Sequence, residues 1–359
     1  MRAKPQTGGL RQERGRQVAT LSLAISGLVL LLAGPVRAAT WPEIASYGAD
    51  RAQKLAAGAA QEGTLSVYTS LNTKDIDPVI KAYEAKYKVK VSLWRGSSEQ
   101  VVQRVVAEAR AGRKDVDLIL TNGPALEALH REKLLEAVKS PKTANLIPEA
   151  IQPAGDWTAT QLNVFVAAYN TDLVKKADLP KTYQDLTDPK WKGKIGVEAG
   201  DSDWFAGVVM DLGEEKGLKL FREIAKVNGF SVRKGHTLLT NLVSAGEVPL
   251  SLTNYSFTAE QNKASGAPFD WFVIPPAQAR PNGVAVTKTS QHPNAAMLLY
   301  DFVLDEGQPM FLKRGFVTVR KDIPTLLNKV PYKFLSPSIT LDQGEKWEKL
   351  YDSIVVKAH

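Results

Sequence analysis

An α/β fold of two lobes, each a mixed, mostly parallel sheet flanked by helices, is predicted by three features of the sequence. From Gly63 onward, short apolar segments alternate with amphipathic helical ones, and strand-helix repeats of this length pack as parallel strands with helices on their faces. An extended stretch, "QLNVFVAAYN", interrupts the alternation, which then resumes in a second block. The 359 residues include no cysteine, so the chain has neither disulfides nor thiolate metal sites and relies on its apolar cores.

The first block opens with the strand "TLSVY". The helix "KDIDPVIKAYEAKY" follows, with Ile76, Ile80, Tyr83 and Tyr87 on one face. "VKVSLW" is the next strand. Ser97 then starts a helix with Gln100 as its third residue, a capping-box spacing, with Val101, Val102, Val105, Val106 and Ala109 expected to face inward and Gly112 to stop it. The strand "DVDLIL" leads through Gly123-Pro124 into the helix "ALEALHREKLL". In the second block "KGKIGVE" is a strand that reaches "AGDSDWF" and an apolar helix. "EEKGLKLFREIAKV" and "TLLTNLVSAG" are helices, and "VPLSLTN" is a strand. "WFVIPP" and "NGVAVTK" read as strands, "NAAMLLYDFVLDE" as a helix, and the tail from Leu341 as helical. An alanine-rich helical segment, 39–62, precedes the first block.

The N-terminal residues 1–38 have the layout of a cleavable signal peptide. Arg11, Arg14 and Arg16 precede an apolar run, and "PVRAA" places a cleavage site near Ala38. The alternative, a membrane anchor, is disfavoured because the uncharged stretch Gln17–Val36 is barely of spanning length and contains Gly27, Gly34 and Pro35. This leader holds six Lys/Arg and one Glu, so five of the eight net positive charges leave with it and the mature chain carries +3. With so small a surplus and no basic stripe interleaved with aromatics, nucleic acid is not an expected partner.

In parallel sheets ligands sit beyond the carboxyl ends of the strands. There the chain places Ser70-Leu71-Asn72, then Ser97-Ser98 after Arg95, then Thr121-Asn122. Each could be an ordinary helix cap; three in succession point to a polar cleft. The second block adds Asp201, Ser202, Asp203 and Trp204 at one strand end, and Asn254, Tyr255 and Ser256 at another. Two acids in a first helical turn are also favourable on helix-dipole grounds alone. If they face the cleft they attract an amine. Trp94 and Trp204 could stack on a flat or cationic solute. Tyr169 closes the extended crossing, and Arg280 and Asn282 sit between two strands as donors on the hinge side or as a plain turn.

The blocks "LSVYTSLNTKDIDPVIKAYEAKY", "VVAEARAGRKDVDLILTNGPALEALHREKLL", "LTDPKWKGKIGVEAG", "LVSAGEVPLSLTNY" and "NGVAVTK" together resemble the periplasmic solute-binding proteins of bacterial ABC importers, in the cluster that includes the ferric-iron-binding proteins. The likeness runs from about Gly63 to Lys321. It implies a type 2 periplasmic-binding-protein fold with the ligand cleft between lobes. Lobe 1 would comprise 63–162 and 277–325, lobe 2 would comprise 163–276, and 326–359 would be a C-terminal helical segment. It further implies a monomeric, non-enzymatic protein, exported to the periplasm, that needs no cofactor and hands a small solute to a cognate ABC permease and its ATPase.

Iron-binding members of that family hold the metal with two adjacent tyrosines, commonly joined by a histidine and a glutamate. The matching positions here are Ser256-Phe257, or Tyr255-Ser256 with a one-residue slip, together with Asn72 and Asn122. Ferric ion prefers anionic oxygen donors, and at most one of the four positions can supply one. No metal ligand set is therefore expected at the usual place, and the expected cargo is a small polar organic solute, amine-bearing or zwitterionic. The alternative is a ferric or other metal site rebuilt around Asp201 and Asp203. Enzyme readings fare poorly: Gly200-Asp201-Ser202 lacks a histidine and acid at the spacing that serine catalysis needs, and histidines 130, 236, 292 and 359 form no zinc motif.

Overall fold

The computed structural model describes residues 39–325 and 328–357. The expected leader, 1–38, lies outside the described residues. Helices α1 (Trp41–Ala45) and α2 (Arg51–Glu62) come first. The first block is β1 (Thr64–Thr69), α3 (Thr73–Tyr87), β2 (Lys90–Arg95), α4 (Ser98–Arg110), β3 (Leu118–Asn122) and α5 (Gly123–Arg131). The crossing is β4 (Thr158–Asn170), and the second block is β5 (Ile195–Glu198), α6 (Ser202–Leu212), α7 (Glu214–Asn228), β6 (Ser231–Arg233), α8 (His236–Ser244), β7 (Leu250–Tyr255), α9 (Ser256–Ala264) and β8 (Phe269–Phe272). The chain returns through β9 (Ala277–Val286), α10 (Pro293–Leu304), α11 (Gln308–Lys313) and β10 (Val317–Thr318). β11 (Tyr332–Phe334), α12 (Pro337–Asp342) and α13 (Gly344–Tyr351) complete it, so the tail expected to be helical also contributes a strand, paired with β9.

The strand order β2-β1-β3-β9-β4-β7-β5-β6 has two parallel flanks joined by antiparallel pairing around β9 and β4. β4 serves both flanks. Its Thr158–Val164 half pairs with β9, and its Phe165–Asn170 half pairs with β7 and β8. Each flank carries its own helices, and in both the strands deliver their carboxyl ends to helix N-termini.

Local chemistry explains the elements. Ser97 and Gln100 form the expected capping box, Ser97 Oγ accepting from the Gln100 amide at 3.2 Å and Gln100 Oε1 accepting from the Ser97 amide at 2.8 Å. The inward face of α4 is narrower than its valines suggest: Val101, Val105 and Glu108 are buried, while Val102, Val106 and Ala109 are half-buried. Glu108 can occupy that buried position because the Tyr68 hydroxyl donates to it at 2.9 Å and Arg104 Nε at 2.8 Å, and a buried carboxylate needs such compensation. All twelve residues of α10 are buried, and α2 covers it. Gly58 permits this closeness, since a Cβ there would fall 2.4 Å from Asn294. Glu62 at the end of α2 accepts from the Asn294 and Ala295 amides and so caps α10. The segment 39–62 is thereby part of the structured body. Among the described residues no helix is long and apolar enough to cross a membrane.

Candidate functional site

Strand ends from both flanks meet at a cavity of about 210 Å³. Its lining includes Ser70, Leu71, Asn72, Ser97, Ser98, Asn122, Tyr255, Arg280 and Asn282, all expected from the sequence, and Asp75, Asn163, Phe257 and Phe316 besides. Asn72, Ser97, Asn122 and Tyr255 are the N-cap residues of α3, α4, α5 and α9. Four helices therefore direct their electropositive ends toward this space.

The hydrogen bonds already made decide what remains for a solute. Asn122 Oδ1 accepts from the Ala125 amide at 2.9 Å, and Asn72 Oδ1 accepts from Arg95 at 3.0 Å. Both carboxamide oxygens are thus engaged, and the N–H2 groups are what these residues offer. Arg95 also donates to the Leu71 carbonyl at 3.0 Å, which fixes that strand end. The register of β3 and β9 sets Asn282 beside Asn122; Asn282 is only 5% exposed, and its Nδ2 meets no partner. On the other side of β9, Arg280 sits in register with Asn163, whose Oδ1 is likewise buried and unpartnered. The Thr121 hydroxyl is 1% exposed and joins Ser70 Oγ at 2.9 Å and Ser98 Oγ at 3.0 Å, so it links two strand ends from behind the lining.

The opposite wall is aromatic. Tyr255 lies 5.2 Å from Phe165, 3.9 Å from His236 and 5.7 Å from Phe257, which stacks on Phe316 at 4.1 Å. Arg280 packs its guanidinium 5.2 Å from the Phe165 ring centre and 5.4 Å from that of Tyr255, and donates to Asp203 Oδ2 at 2.9 Å. Burial opposes the charge on Arg280, but Asp203 and Asp201 outweigh it and its pKa is raised. Asp75, the carboxylate lining the cavity, accepts from Arg314 at 2.8 Å.

Several residues expected at the site lie elsewhere. Asp203 is turned to Arg280, and Asp201 is 1% exposed with Oδ1 3.3 Å from His236 Nε2. Burial disfavours the charged imidazole, yet the Asp201 carboxylate prevails and raises the His236 pKa. Neither acid lines the cavity, which removes the ground for expecting an amine there. Trp204 is 1% exposed in the core, against Phe221 at 5.9 Å and Tyr183 at 6.1 Å. Trp94 packs on Tyr68 at 5.1 Å under the Arg104 guanidinium. Tyr169 is a core residue against Phe272. Asn254 is fully buried, accepting from Thr240 at 2.9 Å and donating to Ser251. Ser256, the first residue of α9, is buried with an unpartnered hydroxyl. Ser202 lines a separate cavity with Gln278 and Trp347.

Of the residues missed, Asp75 carried a signal: it falls three positions after Asn72, on the same first turn of α3. Phe316, in the loop after α11, carried none. Behind the Tyr255 wall, Glu198, Asp201 and His236 bring one ligand-type atom each within 4.8 Å of one another.

Comparison with known proteins is consistent with this architecture. The family model described as "Bacterial extracellular solute-binding protein" matches residues 114–341. Iron uptake protein A1 of Synechocystis sp. is 24% identical over 272 residues, 71% of this chain and 75% of that protein. Iron-bound HitA of Pseudomonas aeruginosa superposes with a TM-score of 0.71 at 23% identity, over 81% of this chain and 99% of that one. AfuA of Actinobacillus pleuropneumoniae, with exogenous fructose-6-phosphate bound, gives 0.69 at 21% identity, over 82% and 99%. The fold is thus the two-lobed one of periplasmic binding proteins.

Proposed function

The chain belongs to the bacterial extracellular solute-binding proteins, and on that footing we propose that it captures a small polar organic solute bearing an anionic group, for delivery to an ABC permease. The single observation that carries this reading is the convergence of four helix N-caps, Asn72, Ser97, Asn122 and Tyr255, on one cavity. Helix N-termini favour negative charge. The N–H2 groups of Asn72, Asn122 and Asn282 add donors, and both charged residues of the lining, Asp75 and Arg280, are already paired. The unpartnered Asn163 Oδ1 calls for a donor on the solute as well, so a zwitterion or a hydroxylated acid suits the lining better than a polyamine. Among structural neighbours, AfuA holds a sugar phosphate, which agrees with an anionic cargo.

Lobe 1 would be 63–162 with 277–325 and lobe 2 would be 163–276, closing about the Asn163–Asn170 stretch of β4 and the Phe272–Pro276 return. The solute favours the closed state only by its extra affinity for that state. The protein acts as an exported monomer without enzymatic turnover or a cofactor, its leader removed near Ala38. Its cargo passes to the permease, and the partner ATPase drives uptake.

Ferric iron is the second reading, favoured by relatives named for iron and by the Tyr255 phenol at the cavity. Against it, the family's other ligand positions hold Asn72 and Asn122, and the tyrosine pair falls either at Tyr255-Ser256 or at Ser256-Phe257. Native mass spectrometry of the purified protein, followed by a thermal-shift screen of carboxylates, phosphate esters, phosphonates and polyamines, tests the proposal. A cognate anion at a hundredfold excess over its Kd adds about 2.7 kcal/mol of stability. Response to polyamines alone refutes the anionic reading, and coloured protein with stoichiometric iron establishes the second.

A further inference from the structure

A cluster distinct from the cavity lies at the head of the second flank. Glu198 ends β5, Asp201 stands at the N-cap position of α6 without a capping hydrogen bond, and His236 begins α8. Their side chains approach one another because β5 and β6, parallel neighbours, end side by side, Glu198 and Asp201 coming from the end of β5 and His236 from beyond the end of β6. Glu198 is 8% exposed, Asp201 1% and the neighbouring Asp203 6%. Against these three buried carboxylates stand the Arg280 guanidinium, 2.9 Å from Asp203, and the His236 imidazole, 3.3 Å from Asp201, two basic groups for three acids. A buried, uncompensated negative charge is costly.

The orientation of each group is that of a ligand. Glu198 receives backbone N–H bonds on both oxygens, from Gly235 at 2.8 Å and Gly200 at 2.5 Å, which fixes the carboxylate while leaving lone pairs free. A side chain at position 200 would crowd it, since a Cβ there would lie 3.2 Å from Glu198 Oε2. Gly235 adopts φ +105°, open to glycine but rarely to other residues. His236 directs Nδ1 to the Thr253 carbonyl at 3.0 Å, so Nδ1 carries the proton and Nε2 faces Asp201. A backbone acceptor behind an imidazole is the usual support for a metal-bound histidine. Asp201 Oδ2 is buried and meets no partner, so one of its oxygens stays unused by the protein's own hydrogen bonds.

We propose that Glu198, Asp201 and His236 bind a divalent transition-metal ion of the Zn2+ type, separate from the solute cavity and behind the wall that carries Tyr255. One imidazole and two carboxylates match the three nitrogen and oxygen ligands that Zn2+ takes in open, three-ligand protein sites. With metal-ligand bonds of about 2.0–2.2 Å, the three atoms, now within 4.8 Å, draw in by about an ångström. The ion takes the Nε2 lone pair of His236 and displaces the proton that otherwise pairs this ring with Asp201. Because the Tyr255 ring lies 3.9 Å from His236, the bound ion braces the aromatic wall of the cavity. It ties β5, α6 and α8 together whichever solute is carried.

The test uses the full mature chain, stripped with a chelator and titrated with Zn2+ by calorimetry and with Co2+ by visible absorption. One equivalent is expected to bind and to raise the Tm. Asp201→Asn and His236→Gln are each expected to weaken binding by about a hundredfold or more, while His130→Gln, at a histidine on the far α5 helix, leaves it unchanged. In the folded wild-type protein, 15N spectra of the imidazoles should show Nε2 of one histidine shifting on titration, a readout that survives even if a variant does not fold. The shifting histidine should remain in His130→Gln and in His292→Gln. Weak binding in the millimolar range, binding equal in all variants, or a shift that vanishes in either of the last two variants overturns the site.

Discussion

Replacing Arg280 with Gln probes the pair that separates the cavity from the acids of α6. Arg280 and Asp203 are in contact at 2.9 Å, with side chains only 14% and 6% exposed. At an effective dielectric of about 20, unit charges at this distance attract by roughly 6 kcal/mol before desolvation is counted. Removing one partner strands the other, and for buried pairs this costs about 3–5 kcal/mol. Asp203 would keep only the Trp204 amide at 2.8 Å, and the contacts of the guanidinium with Phe165 and Tyr255 would also be lost. A loss of about 4 kcal/mol lowers the Tm by roughly 8 °C in a chain of this size. Asp203→Asn added to Arg280→Gln leaves two neutral amides, and a coupling of about 1–3 kcal/mol should return. Chemical denaturation of wild type, both single variants and the double variant, at matched m-values, measures the cycle. A single variant within about 1 kcal/mol of wild type, or strict additivity in the cycle, would show that the pair does not hold the wall and that Asp203 is compensated in some other way.

Asn282→Leu should separate binding from stability. It removes a buried donor that lacks a partner, so thermal melts without solute should hold steady or rise, while solute affinity falls about tenfold for the lost hydrogen bond; a parallel loss of both in melts and titration calorimetry would make Asn282 a structural residue. Gly283→Ala places a Cβ 2.7 Å from the Thr158 carbonyl and 2.8 Å from the Trp157 ring, and the overpacking should cost about 1–3 kcal/mol in denaturant melts. Burial and the Glu108 carboxylate push the Tyr68 hydroxyl up to about 12. Since the folded state holds this proton more tightly than the unfolded one, its contribution to stability is complete below about pH 10 and is lost as pH rises toward 12. Alkaline difference absorbance of wild type against Tyr68→Phe should place the missing tyrosinate signal in that range, and ionisation near pH 10 would contradict the Glu108 contact.

The cavity was legible where it is built from strand ends. A parallel strand that runs into a helix must deliver its cap residue to the same edge of the sheet, so Asn72, Ser97, Asn122 and Tyr255 could be placed without knowing the tertiary structure. The same rule misled at Asp201 and Asp203. They too follow a strand, but their partners are His236 and Arg280, 35 and 77 positions further on, and local pattern carries no trace of such pairing. Asn254 shows a finer limit: adjacent strand residues point to opposite faces, so the placement of Tyr255 at the cavity sends Asn254 into the interior, where Thr240 and Ser251 hold it. Tyr169, Trp94 and Trp204 are aromatics that fill cores, and side-chain type alone does not separate that use from stacking on a solute.

If the protein captures a solute as proposed, the two strands that connect the flanks would make capture and closure one event. β4 turns from β9 to β7 between Val164 and Phe165. Asn163 lies immediately before that exchange, and its register partner Arg280 and the nearby Asn282 lie on β9. The connecting strands thus place an acceptor, a guanidinium and an amide donor at the cavity, while the caps of α3, α4 and α5 approach from the first flank and that of α9 from the second. A solute that satisfies only one flank gains nothing from a change in their relative position. One that bridges Asn122 to Tyr255 across the connecting strands gains contacts only as they come together, and that difference alone sets the closed population. Affinity and closure should therefore fall together when either Asn122 or Tyr255 is truncated, even though the two belong to different flanks.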